Sequence, residues 1–245
     1  KRRVLRNDIK RLFDENGMVY EDNTTLTLNE GLNKVIAPYG FYYENYIHGN
    51  KIIEYDFSHY DTSKVNNMDT MFGMNFVNEL NLSKFDTSNV NSMHSMFYTC
   101  QKLNTLDLSN FNTSKVTDMA VMFANDDGLT SLDLSSFNTS KVISMNTMFN
   151  FCRILPELDL SNFDTSKVTD MGYMFNYCQN LTTLYLDNFD TAKVTQMDNM
   201  FNNCNSLNYI RCKQAFKDWC IANQDTIGLP TQMREGGSGT WDIVA

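Results

Sequence analysis

The chain has 245 residues, a formal net charge of −9 and a sequence pI near 4.8. An acidic surface repels phosphate backbones and anionic lipid, so nucleic acid and membrane surfaces are disfavoured as partners. No apolar run approaches the ~18 residues that a membrane span requires. The chain opens KRRVLRND, with no initiator Met and no apolar segment behind the basic cluster. That start is expected of a mature form or an excised fragment, and leaves open whether a signal peptide or anchor exists.

Residues 1–51 read as an N-terminal capping region. NDIKRLFDENG at 7–17 has the marks of a short amphipathic helix. Asn7 would be its N-cap, Ile9, Leu12 and Phe13 its inner side, and Gly17 its end. TTLTL at 24–28 has strand character and PYGFYYENY at 38–46 is an aromatic-rich turn.

From residue 52 to 212 one block recurs. Its copies are YDFSHYDTSKVNNM from Tyr55, LNLSKFDTSNVNSM from Leu80, LDLSNFNTSKVTDM from Leu106, LDLSSFNTSKVISM from Leu132, LDLSNFDTSKVTDM from Leu158 and LYLDNFDTAKVTQM from Leu184. The starts are 25 residues apart once and 26 apart four times. A fixed period in this range predicts a solenoid of stacked units, none of which can bury its apolar face alone. Alternation at Leu106 and Leu108 predicts a short parallel strand with Phe111 closing its turn. The Asp/Asn-Thr-Ser triplet that follows bends the chain through side-chain bonds to nearby backbone. Val116, Met119 and Met122 recur every third position, which predicts a short helical or 3-10 segment. Leu207, Ile210 and Cys212 continue the period as a degenerate last strand. Residues 213–245 read as a C-terminal cap and tail: KQAFKDWCIANQ at 213–224 is helical in pattern, with Phe216, Trp219 and Cys220 on its apolar side, and GGSG at 236–239 is a flexible linker before WDIVA.

The signature LDLSNFDTSKVTDMGYMFNYC at 158–178, repeated in register, resembles the BspA-like leucine-rich repeats of bacterial surface proteins in their 26-residue Met-Phe variant. The resemblance covers roughly residues 52–212. It implies an α/β fold, a right-handed leucine-rich-repeat solenoid, on a secreted or surface-anchored bacterial protein, in a family often assigned to adhesion or host contact.

The columns of the repeat hold the candidate sites. Cys100, Cys152, Cys178 and Cys204 each follow a Met-Phe pair by three residues, with Asn75 and Asp126 filling the same column elsewhere. That placement reads as small buried residues in a ladder rather than a disulfide framework, and no C-x-x-C pair suggests zinc. A bond between Cys212 and Cys220 stays open. Twelve Met fall in two columns at M-x-x-M spacing, from Met68 and Met71 to Met197 and Met200. Thioethers suit Cu(I), but Val before and Phe after each pair place them in an apolar stripe, so core filling is the reading adopted.

Outward strand positions stand in rows about 4.8 Å apart. One reads Asp56, Asn81, Asp107, Asp133, Asp159, Tyr185, Arg211, and its neighbour Glu54, Glu79, Thr105, Ser131, Glu157, Thr183, Tyr209. Neighbouring unit charges at that spacing repel by about 1 kcal/mol in water and about 3–4 at an effective dielectric near 20. The three consecutive aspartates are therefore a solvated acidic face or, alternatively, a calcium site. Thr62, Thr87, Thr113, Thr139, Thr165 and Thr191 form a further ladder expected to satisfy backbone groups at the bend.

The only histidines, His48, His59 and His94, recur in no column, and no G-x-S-x-G, P-loop, dinucleotide fingerprint or H-E-x-x-H is present. No catalytic function and no cofactor are expected. The expectation is an extracellular or cell-surface binding module that offers its strand face to a protein or glycan on a host or neighbouring cell. The residues expected to bind the ligand are Asp107, Asp133, Asp159, Glu157, Tyr185, Tyr209 and Arg211, because Tyr and Arg are favoured at binding hot spots. The alternative is a structural spacer of a larger surface protein; oligomeric state is not legible.

Overall fold

A computed structural model describes residues 26–27, 55–56, 60–74 and 79–244. The expected helix at 7–17 and the aromatic turn at 38–46 lie outside them. The architecture is mixed α/β, with one four-stranded parallel sheet and few helices, consistent with a solenoid-like repeat fold. Strand β1 (Leu26–Thr27) pairs in parallel with β3 (Tyr60–Asp61), and β2 (Tyr55–Asp56) with β4 (Leu80–Asn81). The larger sheet runs β5 (Glu157–Asp159), β6 (Thr183–Leu186), β7 (Tyr209–Lys213) and β8 (Thr240–Val244), all parallel and in sequence order. Register matches the repeat: Leu158 pairs with Leu184 and Leu184 with Ile210. A second line of contact runs through single bridges from Asn67 to Ser92, Asp118, Ser144, Asp170 and Gln196.

Between the two lines lies the apolar core. Met119 and Met145 are fully buried, as are the other Met of both columns from Met68 to Met200 except Met197, which is half-buried against the core. Phe72, Phe97, Phe123, Phe149, Phe175 and Phe201 stack in one column with ring centroids 5.5 to 5.8 Å apart and planes within 13°. Each offset ring pair adds about 0.5–1.5 kcal/mol beyond its area burial.

The Met-Phe segment is not helical. Its amides alternate between two kinds of partner. Ser95, Phe97 and Thr99 donate to Ala120, Met122 and Ala124 of the next repeat at 2.9, 2.9 and 2.8 Å. The amides between them turn back instead: Met96 donates to Met93 O, Tyr98 to Ser95 O and Cys100 to Phe97 O at 3.2, 3.1 and 3.2 Å. Ser95 and Thr99 hold φ of 55° and 61°, and the same two positions recur with φ near +60° through Asn199 and Asn203. A 3-10 helix needs right-handed backbone throughout, and a left-handed residue every fourth position forbids it. The three-residue spacing of apolar side chains therefore comes from consecutive tight turns.

Buried threonines join one repeat to the next. Thr113 Oγ1 donates to Asn138 O at 3.0 Å and accepts from Asn138 N–H at 2.7 Å. Thr87 and Thr165 make the same reciprocal pair with Asn112 and Asp190.

At the C-terminal side, α1 (Gln214–Ala222) buries Phe216 and Cys220 as the sequence predicts. No side chain caps its first turn, so its order comes from packing, with Phe216 edge-on to Phe189 at 5.6 Å. The expected linker and tail are instead structural. Gly237 N–H donates to Arg234 O at 2.9 Å and Gly239 N–H to Gln232 O at 2.7 Å, leading into β8. A Cβ on Gly237 would lie 2.3 Å from Gln232 O, so the glycine is there for a close approach rather than for freedom. Trp241 then donates from Nε1 to Met233 O at 3.1 Å.

Val121 carries a β-branched side chain at φ of 63°, where such residues are strained by about 1–3 kcal/mol. Val121→Asn, the residue at the equivalent Asn199, should raise the melting temperature by about 2–4 °C; an unchanged or lowered value would show that no strain is stored there. Thr113→Val should lower stability by roughly 1–3 kcal/mol, read from the urea midpoint, because both backbone groups of Asn138 lose their partner.

Candidate functional site

The outer face of the larger sheet brings together five of the seven residues singled out by sequence. Glu157 and Asp159 on β5, Tyr185 on β6, and Tyr209 and Arg211 on β7 stand in two adjacent rows, since Glu157 pairs with Thr183 and Thr183 with Tyr209, while Asp159 pairs with Tyr185 and Tyr185 with Arg211. The alternation of strand side chains puts all five on the side away from Leu158, Leu184 and Ile210.

These residues are tied together. The Arg211 guanidinium lies 4.6 Å from the Tyr185 ring centroid and makes a two-pronged bond to Asp187, Nε to Oδ1 and Nη2 to Oδ2, each at 2.8 Å. Hydrogen bonding to that carboxylate pushes the guanidinium pKa still higher. Tyr185 and Tyr209 meet edge to face with centroids 6.0 Å apart. Tyr209 OH donates to Asp242 Oδ2 at 2.6 Å, a bond that raises the phenol above its ordinary value. The Arg211 and Asp187 side chains are 31% and 24% exposed, so the pair is partly desolvated and worth more than a fully solvated surface bridge. Two polar members escaped the sequence reading. Asp187 replaces the Ser found in earlier copies of the block, a departure next to Tyr185 that signals its role. Asp242 lies in the stretch read as a tail, yet β8 places it in register with Arg211.

Asp107 and Asp133 lie two and one repeats before this cluster, in the same row by sequence but outside any strand. They line a shallow depression of about 220 Å³ with Ser109, Ser135 and Ser136. Each has a local task. Asp107 Oδ1 accepts Ser109 N–H at 3.0 Å, Asp133 Oδ1 accepts Ser135 N–H at 2.9 Å, and Asp159 Oδ1 accepts Ser161 N–H at 2.9 Å. The Ser109 hydroxyl and amide hold the Asp107 carboxyl below its usual value, and the Ser135 amide and hydroxyl do the same for Asp133. The row thus repeats a turn-forming bond, and Asp107 and Asp133 keep their charge into mild acid. Among the described residues no group of three His, Cys, Asp or Glu is placed to hold a metal ion.

The cysteine column is buried, and all six cysteines are free thiols, Cys212 and Cys220 included. Cys100, Cys152, Cys178 and Cys204 donate from Sγ to the carbonyls of Phe72, Phe123, Phe149 and Phe175 in the preceding repeat, at 2.8 to 3.1 Å. Burial raises the thiols of Cys152, Cys178 and Cys220 far above their usual range and that of Cys212 to about 12.

A family model described as "Mycoplasma protein of unknown function, DUF285" matches residues 43–154 and again 127–227. No curated protein matches the chain. Among the described residues no helix is long and apolar enough to cross a membrane.

Thiolates rather than thiols react with disulfide reagents. The six cysteines should therefore stay silent towards such a reagent in the native protein and all react after unfolding in denaturant; rapid native labelling of any one would contradict the burial.

Proposed function

This chain belongs to the DUF285 family, and from that premise we propose that it is a non-catalytic binding or adhesion module of a cell surface. Its finer architecture is a right-handed leucine-rich-repeat solenoid of the BspA-like kind, and its ligand is a protein or glycan outside the cell. The observation that carries this reading is the ordered cluster of Tyr185, Tyr209 and Arg211 on an open sheet face, fixed by Asp187 and Asp242. Side chains already held in one geometry lose little entropy when a ligand arrives, which favours affinity. Tyr faces stack on sugar rings or peptide apolar groups, while Glu157 and Asp159 beside them accept bonds from hydroxyls or amines.

The spacer reading retains one specific support. Asp107, Asp133 and Asp159 each serve the turn of their own repeat, so that part of the face is explained without a ligand.

A double substitution Tyr185→Ala and Arg211→Ala separates the two. On an array of glycans and extracellular proteins, the native chain should capture a ligand and the variant should lose capture by at least tenfold, with an unchanged circular-dichroism spectrum. Silence of the native chain across the array favours the spacer, and equal capture by both chains removes this cluster as the site. A melting temperature that rises with added calcium would restore the cation reading of the aspartate row.

A further inference from the structure

Asp126 stands where the neighbouring repeats carry a cysteine, and it is fully buried. The column shows what the position demands. A thiol there has one proton, and it goes to the carbonyl of the Phe 28 or 29 residues earlier. That carbonyl then takes two bonds: Phe149 O accepts Cys152 N–H at 3.1 Å and Cys178 Sγ–H at 3.0 Å. For Asp126 the corresponding carbonyl is Phe97 O, which accepts Cys100 N–H at 3.2 Å and keeps a second lone pair.

The carboxyl is half satisfied as an acceptor. Oδ1 accepts Cys100 N–H at 2.5 Å, whereas Oδ2 is buried and receives no donor. A carboxylate with a bare buried oxygen is costly, whereas the neutral acid owns a proton to donate and matches the thiol's role. The Cys100 N–H on Oδ1 favours the charge, but burial outweighs it and the other neighbours do not help. Asp127, adjacent in the chain, is itself acidic and repels it. Arg153, from the following repeat, is bound to Asp127 Oδ2. Cys100 and Cys152, above and below in the column, turn their thiols to the Phe72 and Phe123 carbonyls, and burial raises the Cys152 thiol far above its usual range.

We propose that Asp126 is held as a neutral carboxylic acid that donates from Oδ2 to the Phe97 carbonyl, making the junction between these two repeats a contact that acid strengthens. The direction of its titration agrees, since burial drives the carboxyl well above the ordinary range. In the unfolded chain an Asp ionises near pH ~4. Folding therefore takes up a proton from solvent. The stability of this contact is complete below that pH and is lost as pH climbs towards the folded-state value, by up to tenfold in the folding equilibrium per pH unit. The inference is independent of the ligand reading, because it concerns a group inside the core.

The test is a set of thermal melts of the full chain, Asp126→Asn and Asp126→Cys between pH 5 and 8. Asn keeps an acceptor and a donor but cannot ionise, and Cys restores the column. The rest of the chain is the same in all three proteins, so the difference between profiles isolates Asp126. The native melting temperature should fall across this range relative to both variants, and the carboxyl carbon of Asp126 should report a protonated acid at pH 7 by NMR. Parallel melting profiles, or a carboxyl carbon that titrates near pH ~4 in the folded protein, would overturn the proposal.

Discussion

Everything in this molecule follows from amides that no repeat satisfies by itself. In the Met-Phe segment every second N–H points along the stack and finds its carbonyl 24 to 27 residues away in sequence, as Ser95 does with Ala120 and Phe201 with Ile227. An isolated unit would leave those groups to water and its apolar side chains exposed, so the unit exists only beside another. Once neighbours are locked at that spacing, identical side chains must fall into files. The stacked Phe rings, the reciprocal Thr bonds and the thiol-to-carbonyl contacts are consequences of that one arrangement.

The repeat made much of this legible. Column membership predicts the burial of Met119 and Met145, the free thiols and the bonding role of the threonines, because those depend only on period and polarity. Backbone handedness did not follow. Val121, Thr147 and Phe151 occupy left-handed backbone that their own propensities oppose, and nothing in a three-residue apolar spacing distinguishes a 3-10 turn from a chain of tight turns. The neighbour's carbonyls overrule local preference here. WDIVA was misread for a related reason: glycines suggest freedom, whereas Gly237 is squeezed against Gln232 and delivers a paired strand.

The candidate site divides along the same lines. Residues that obey the consensus, Asp107 and Asp133, turn out to be committed to the turns of their own repeats. Residues that break it, Tyr185, Asp187, Tyr209 and Arg211, form a network whose members constrain one another. Departure from the repeat was a sound guide to that network as far as Tyr and Arg were concerned. Asp187 was missed because a carboxylate beside an acidic row attracts no notice until its cation is seen, and Asp242 because its strand was read as a tail. Asp126 belongs to the same class, a substitution inside a column whose meaning depends on depth from solvent.

The reciprocal threonine bonds make neighbouring repeats interchangeable. Each repeat asks of its neighbour only a carbonyl, an amide and an apolar surface, and offers the same three in return. Removing the 26 residues from Leu132 to Glu157 would join Ser131 to Leu158 and bring like groups face to face again. Length is thus decoupled from chemistry: a gene that gains or loses whole units changes the reach of the protein by about 4.8 Å a step and leaves its tip intact.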